Sequence, residues 1–160
     1  MVNHFRKHIN RDIFSFCLRI AVESCFFATL TGIVLYKVIP SMRGGGGEKF
    51  EVTDWILISA LIFAPLIETI FCQVLPVAVV RKFRGKQWLQ VFVATAVFAA
   101  AHFYILGFVS GMTAGLIGGF YFSFTYVRWR KRSLRAAYWS TVFVHSVYNT
   151  FIYGIALLAG

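Results

Sequence analysis

Four side chains stand out for their chemistry and for the company they keep. They are Glu68 in APLIETIFCQ, His102 in FAAAHF, and His145 with Asn149 in VHSVYNT. Each lies in an apolar run, where an ionisable group costs roughly 2.5–3.5 kcal/mol on insertion scales. One carboxylate and two imidazoles kept at that cost point to function more than to packing. The i, i+4 spacing puts Phe98 and His102 on one helix face, and His145 and Asn149 on another. Three chemistries suit the set. A carboxylate taken out of water is a stronger base, and with a neighbouring imidazole it can activate a water. The second imidazole and the amide can then donate to a developing oxyanion, so the group supports water attack on a peptide carbonyl. The same His₂Glu donors could instead hold Zn²⁺ with an open position, although the HExxH pattern is absent. A proton or cation path through the bilayer is the third option. Glu23 needs no such role, because Arg19 one turn earlier can pair with it. Asn149 taken alone could be interhelical glue.

The elements that must carry these residues are membrane helices. Of 160 residues, 59% are hydrophobic, and the mean hydropathy is +0.72. Apolar runs of about 20 residues recur, the length that crosses a hydrocarbon core about 30 Å thick. The expectation is an all-α polytopic transmembrane helix bundle, a single membrane domain of about five spans. Their bounds are about 13–38, 55–80, 88–104, 108–127 and 136–158, with the second broken by Pro65 and Pro76. At 1.5 Å per residue, Glu68 lies about 20 Å from Arg81, His102 about 21 Å from Trp88 and Asn149 about 15 Å from Trp139. His145 is shallower, about 9 Å from Trp139. Residues on three different spans can thus meet in one polar pocket.

Charge orients the bundle. Arg6, Lys7, Arg11, Arg19, the four basic residues of loop 81–87 and the five of 128–135 fall on one side, 13 of the 16 Lys and Arg. Lys37, Arg43 and Lys49 fall on the other. The positive-inside rule then places the N-terminus in the cytoplasm of a multi-pass protein of the cell membrane. Because the basic residues flank apolar runs, the net charge of +10 reads as topology, and no nucleic acid partner is expected. Trp55, Trp88, Trp129 and Trp139 sit at predicted span ends, at headgroup level. The first run is too long for a cleaved signal and reads as a retained signal anchor. Cys17, Cys25 and Cys72 lie inside spans without CxxC spacing, so neither a disulfide nor a metal knuckle is expected. Gly107, Gly111, Gly115 and Gly119, followed by Ser123, form a bare ridge that lets a neighbouring helix approach closely. The Gly44–Gly47 tract reads as a flexible outer loop.

Phe98–His102 and His145–Asn149 match the FxxxH and HxxxN motifs of the CPBP family of intramembrane glutamate endopeptidases. That family is related to the CAAX prenyl proteases and to bacteriocin-processing or immunity proteins, and the chain resembles it over about residues 50–160. One helix intervenes between the two motifs, as in the family. The family's EExxxR motif begins at Glu68 but has Thr69 and Gln73 at its second and last positions. The resemblance implies that Glu68 activates the water with help from His102, and that His145 and Asn149 stabilise the oxyanion. Thr69, Gln73 and Phe98 are then supporting residues, with no metal and no cofactor. The substrate implied is a membrane-associated protein or peptide, the other partner being the lipid bilayer. Loss of the Arg charge partner and of the second Glu points away from a prenylated substrate. It also leaves a non-catalytic binding or immunity protein of the same fold as an alternative, beside a metal-dependent protease. No oligomeric state is read from the sequence.

Overall fold

The computed structural model describes residues 13–39 and 53–159. The basic residues before Ile13, together with Arg43, Lys49 and the Gly44–Gly47 tract, lie outside the described residues. Those described fold as an all-α bundle of membrane helices with no strand among them. Helix α1 is Ile13–Val38 and α2 is Asp54–Lys82. Gln87–Arg130 is a 44-residue helical stretch, divided at Gly107 into α3 (87–106) and α4 (108–130). Helix α5 is Leu134–Ala159. The first three stretches are long and apolar enough to cross a membrane. At 26 residues, α5 is also long enough, about 39 Å. It is richer in polar side chains, and several of them, such as Ser140, Thr141 and His145, face inward and are buried.

Local chemistry sets the ends. The Thr53 hydroxyl accepts from the Ile56 N–H and caps α2, and the Ser133 hydroxyl accepts from Ala136 N–H and caps α5. Between α2 and α3 the chain turns at Arg84, which has φ 56°. There the Gly85 N–H returns to the Val80 carbonyl at 2.9 Å. At Gly107, φ is +82° and ψ −173°, backbone that only glycine adopts without strain. This one residue lets α3 and α4 fold back as a hairpin.

The hairpin closes through the glycine ridge. Residues equally distant from Gly107 meet: Gly111 lies against Phe103, and Gly115 against Ala99. A Cβ on Gly115 would lie 2.9 Å from the Ala99 Cα and 3.1 Å from the His102 Cβ. A Cβ on Gly119 would lie 3.0 Å from the Phe98 ring. Helix α4 is the hub and touches each of the other four. Helix α1 packs on α4 and α5 through a stripe of small residues, Cys17, Ala21, Ser24, Cys25 and Ala28. Its Arg19 and Glu23 pair at 2.8 Å on an exposed face. The three cysteines are buried thiols in the core.

Two features differ from expectation. Pro65 and Pro76 do not break α2. Widened turns with i→i+5 hydrogen bonds cover Ser59–Phe63 and Thr69–Val74, and each proline sits just beyond one, in the first turn of regular helix. A proline is tolerated there because its missing N–H falls at the start of a turn. Trp129 is the second exception. Trp55, Trp88 and Trp139 are exposed at helix ends, but Trp129 is buried and packs edge-on against Phe16 of α1 at 5.4 Å. Ring packing between α4 and α1 outweighs a place at headgroup level.

Candidate active site

The structure brings Glu68 and His145 together. Glu68 is the last residue of regular helix before the second widened turn of α2. Its Oε2 lies 3.8 Å from His145 Nε2 on α5. The His145 side chain is almost wholly buried, whereas that of Glu68 keeps about a third of its surface open, at 35%. The separation is too long for a direct hydrogen bond. It suits one bridging water at ordinary distances of about 2.8 Å from each atom. Glu68 is also the sole acid between residues 55 and 160.

Aromatic rings hold both imidazoles. Phe98 is fully buried. It stacks on His102 at 4.3 Å and meets His145 edge-on at 5.5 Å. Phe122 stacks on His145 at 4.2 Å and meets Phe98 edge-on at 5.5 Å, so the three rings form one cluster. The FxxxH pairing thus has a mechanical meaning, since one phenyl ring orients two histidines. His102 Nδ1 is 3.0 Å from the Phe98 carbonyl. A carbonyl only accepts, so Nδ1 carries the hydrogen, and in the neutral ring Nε2 is the nitrogen with the lone pair. His145 Nδ1 is buried without a hydrogen-bond partner.

Asn149 reaches elsewhere. Its Nδ2 donates to the Ala60 carbonyl of α2 at 2.7 Å. The reason lies in the widened register. The Ala64 N–H bonds back to Ser59, five residues earlier; the next such donor, for Ala60, would be residue 65, which is proline. The orphaned carbonyl takes its proton from α5 instead. One of the two Asn149 amide hydrogens is thereby committed.

Thr69 and Gln73 are fully buried. Neither the Thr69 hydroxyl nor either end of the Gln73 amide has a hydrogen-bond partner, and the same holds for Ser123. Ser24, Thr125 and Thr141, by contrast, donate to carbonyls of their own helices. Among the described residues no group of three or more His, Cys, Asp or Glu is placed to hold a metal ion, so the His₂Glu zinc set is not assembled here.

Sequence reading missed Tyr138. Its hydroxyl donates to the Leu66 carbonyl at 3.1 Å, so α5 grips α2 on both sides of the turn that precedes Glu68. The signal was present, because Tyr138, His145 and Asn149 share an i, i+7, i+11 face of α5. Phe122 and Gly115, which confine His145 and His102, were also passed over as site residues.

Fold and site together define a polytopic membrane protein with a carboxylate and an imidazole facing each other inside a helix bundle. Compared with known families, residues 51–151 match the type II CAAX prenyl endopeptidase Rce1-like family. The chain belongs to that family, a family of proteases, and is in general terms an intramembrane endopeptidase. No curated protein and no solved structure matches it.

Proposed function

We propose that this protein hydrolyses a peptide bond of a membrane-associated protein or peptide, with Glu68 as general base and without a metal. The observation that carries the reading is the 3.8 Å approach of Glu68 Oε2 to His145 Nε2, with His102, its Nδ1 tied to backbone, stacked on the same Phe98 ring that meets His145. A water bound at Glu68 gives its proton to the carboxylate as its oxygen bonds to the scissile carbonyl carbon. The free Nε2 of His102 accepts a hydrogen bond from the water's other O–H, which stays on the attacking oxygen, and so aims the lone pair. The carbonyl oxygen becomes an oxyanion, stabilised by donors from His145 and from the second amide hydrogen of Asn149. When the C–N bond breaks, the proton held by Glu68 passes to the departing amine. Neutral Thr69 and Gln73 line the buried side, so recognition there relies on hydrogen bonds and not on charge, and no prenyl group is required of the substrate. The protein crosses the cell membrane five times with its N-terminus in the cytoplasm.

The test is processing of a co-expressed membrane substrate by Glu68→Gln and His102→Ala. Each should lose about 10²–10⁴-fold in rate, the usual contribution of a positioned acid–base group, while accumulating in the membrane as wild type does. Unchanged processing by both variants would remove the catalytic assignment. Activity should also survive a strong chelator, and loss of activity would restore the zinc reading. The Asn149–Ala60 bond favours a second reading, in which Asn149 only ties helices together and the fold binds its partner, as an immunity protein would, without cutting it. Unchanged processing in the two variants would leave that reading standing.

A further inference from the structure

Away from the site, the basic ends of α3 and α4 line a groove of about 590 Å³. That volume is typical of small-molecule pockets. Its walls are apolar: Phe92 on α3 faces Phe120 and Phe124 on α4. Its mouth is not, for Trp88, Arg128 and Lys131 stand there. The pattern follows from helix periodicity. Phe120, Phe124 and Arg128 recur every four residues along one face of α4, over about 12 Å. Trp88 and Phe92 do the same on α3. The groove shares no lining residue with the Glu68–His145 pair.

Among the described residues the two cations at the mouth have no anion of their own. After Glu68 the chain contains no Asp or Glu at all. Of the three described acids, Glu23 is paired with Arg19, Asp54 starts α2 at the end opposite Lys82, and Glu68 faces His145. A greasy slot about 12 Å long, capped by an indole and two positive charges that no described acid pairs, is complementary to a molecule with an acyl chain below and a phosphate above. We infer that the α3–α4 groove is a binding site for an anionic glycerophospholipid, with an acyl chain between Phe92, Phe120 and Phe124 and the headgroup phosphate at Arg128 and Lys131. Trp88 packs at the glycerol level, where indoles prefer to lie. The assignment is independent of the protease reading.

Trp88 also reports on the site. The full chain is reconstituted in phosphatidylcholine vesicles, and tryptophan quenching is measured with brominated phosphatidylglycerol or brominated phosphatidylcholine at equal mole fraction. The brominated anionic lipid should quench more strongly. The excess should vanish in Trp88→Phe, which removes the reporter. In Arg128→Gln/Lys131→Gln the preference should fall by roughly fivefold for each charge. It should persist in Arg132→Gln/Arg135→Gln, which lowers the net charge equally and leaves the mouth intact. Equal quenching by the two lipids would overturn the assignment, and so would an excess insensitive to the mouth variant. If Phe92→Cys then cross-linked the chain to itself, the groove would belong to a second copy.

Discussion

Replacing Gly115 with alanine separates a designed contact from mere helix propensity. In a helix interior, Gly→Ala ordinarily gains about 1 kcal/mol. At Gly115 the new methyl would lie 2.9 Å from the Ala99 Cα, 3.1 Å from the His102 Cβ and 3.3 Å from the Ala99 carbonyl oxygen. Ordinary carbon contacts lie at about 3.5–4.0 Å, so α3 must retreat by roughly 0.6–1 Å. Two of those three atoms are backbone, which no rotamer change can move aside. The expected net effect is a destabilisation of about 1–3 kcal/mol, the usual cost of overpacking. His102 rides on the displaced segment. A misplacement of about 1 Å is enough to cost roughly 10²-fold in rate, so processing should fall further than stability alone explains. Gly154 is the control, since nothing lies within 4 Å of a Cβ added there. Gly154→Ala should be neutral or slightly stabilising. The assays are reversible unfolding in mixed micelles, followed by helical circular dichroism, and processing of the co-expressed substrate. A Gly115→Ala protein as stable and as active as Gly154→Ala would refute the claim that the glycine ridge sets the position of His102.

Asn149→Ala leaves the Ala60 carbonyl without its donor and should destabilise by about 0.6 kcal/mol, with 1.7 as the upper end for interhelical bonds in membranes. Pro65→Ala restores an N–H at the position that could serve the same carbonyl. The loss from Asn149→Ala should therefore shrink in the Pro65→Ala background, and strict additivity in the double-mutant cycle would show that the carbonyl is not shared. Tyr138→Phe removes one hydroxyl, from the bond to Leu66, and should cost a similar 0.6 kcal/mol or so together with a measurable drop in processing. An unaltered rate would mean that this grip does not position Glu68.

How much of this was legible in the sequence depended on which physical signal carried it. Membrane helices announced themselves through length and hydropathy, and the break before residue 108 through the gap between the third and fourth apolar runs. The companions Phe98 and His102 were legible because i, i+4 spacing fixes a shared face before any tertiary contact exists. The partner of Asn149 was not, because it depends on a change of helical register. Nothing in the letters SALIF says that residue 64 bonds back five places instead of four, and only that shift makes Pro65 the missing donor for Ala60. Trp129 was misplaced for a related reason. Its position at a span end matched an interfacial anchor, but facing Phe16 across two helices is a long-range fact that local pattern does not encode. Tyr138 was missed because a tyrosine in an apolar helix draws less notice than a histidine, even when both lie on one stripe.

The widened turns of α2 carry a consequence for how such a site is built in lipid. A regular helix satisfies its own carbonyls and offers neighbours only side chains. By opening a turn and placing Pro65 after it, α2 leaves the Ala60 carbonyl to the bundle, and α5 answers it with an amide and bonds the Leu66 carbonyl with a phenol. Both bonds lie on the side of Glu68 toward Asp54, within eight residues of it in sequence. The carboxylate is thus held by the backbone that carries it, while its own oxygens stay uncommitted apart from the approach to His145. A carboxylate fixed through its own hydrogen bonds would have to give them up to receive a proton from water. One fixed through its helix does not. That division of labour, with backbone bonds for position and side-chain oxygens left for chemistry, is what the role proposed for Glu68 as a base requires inside a membrane.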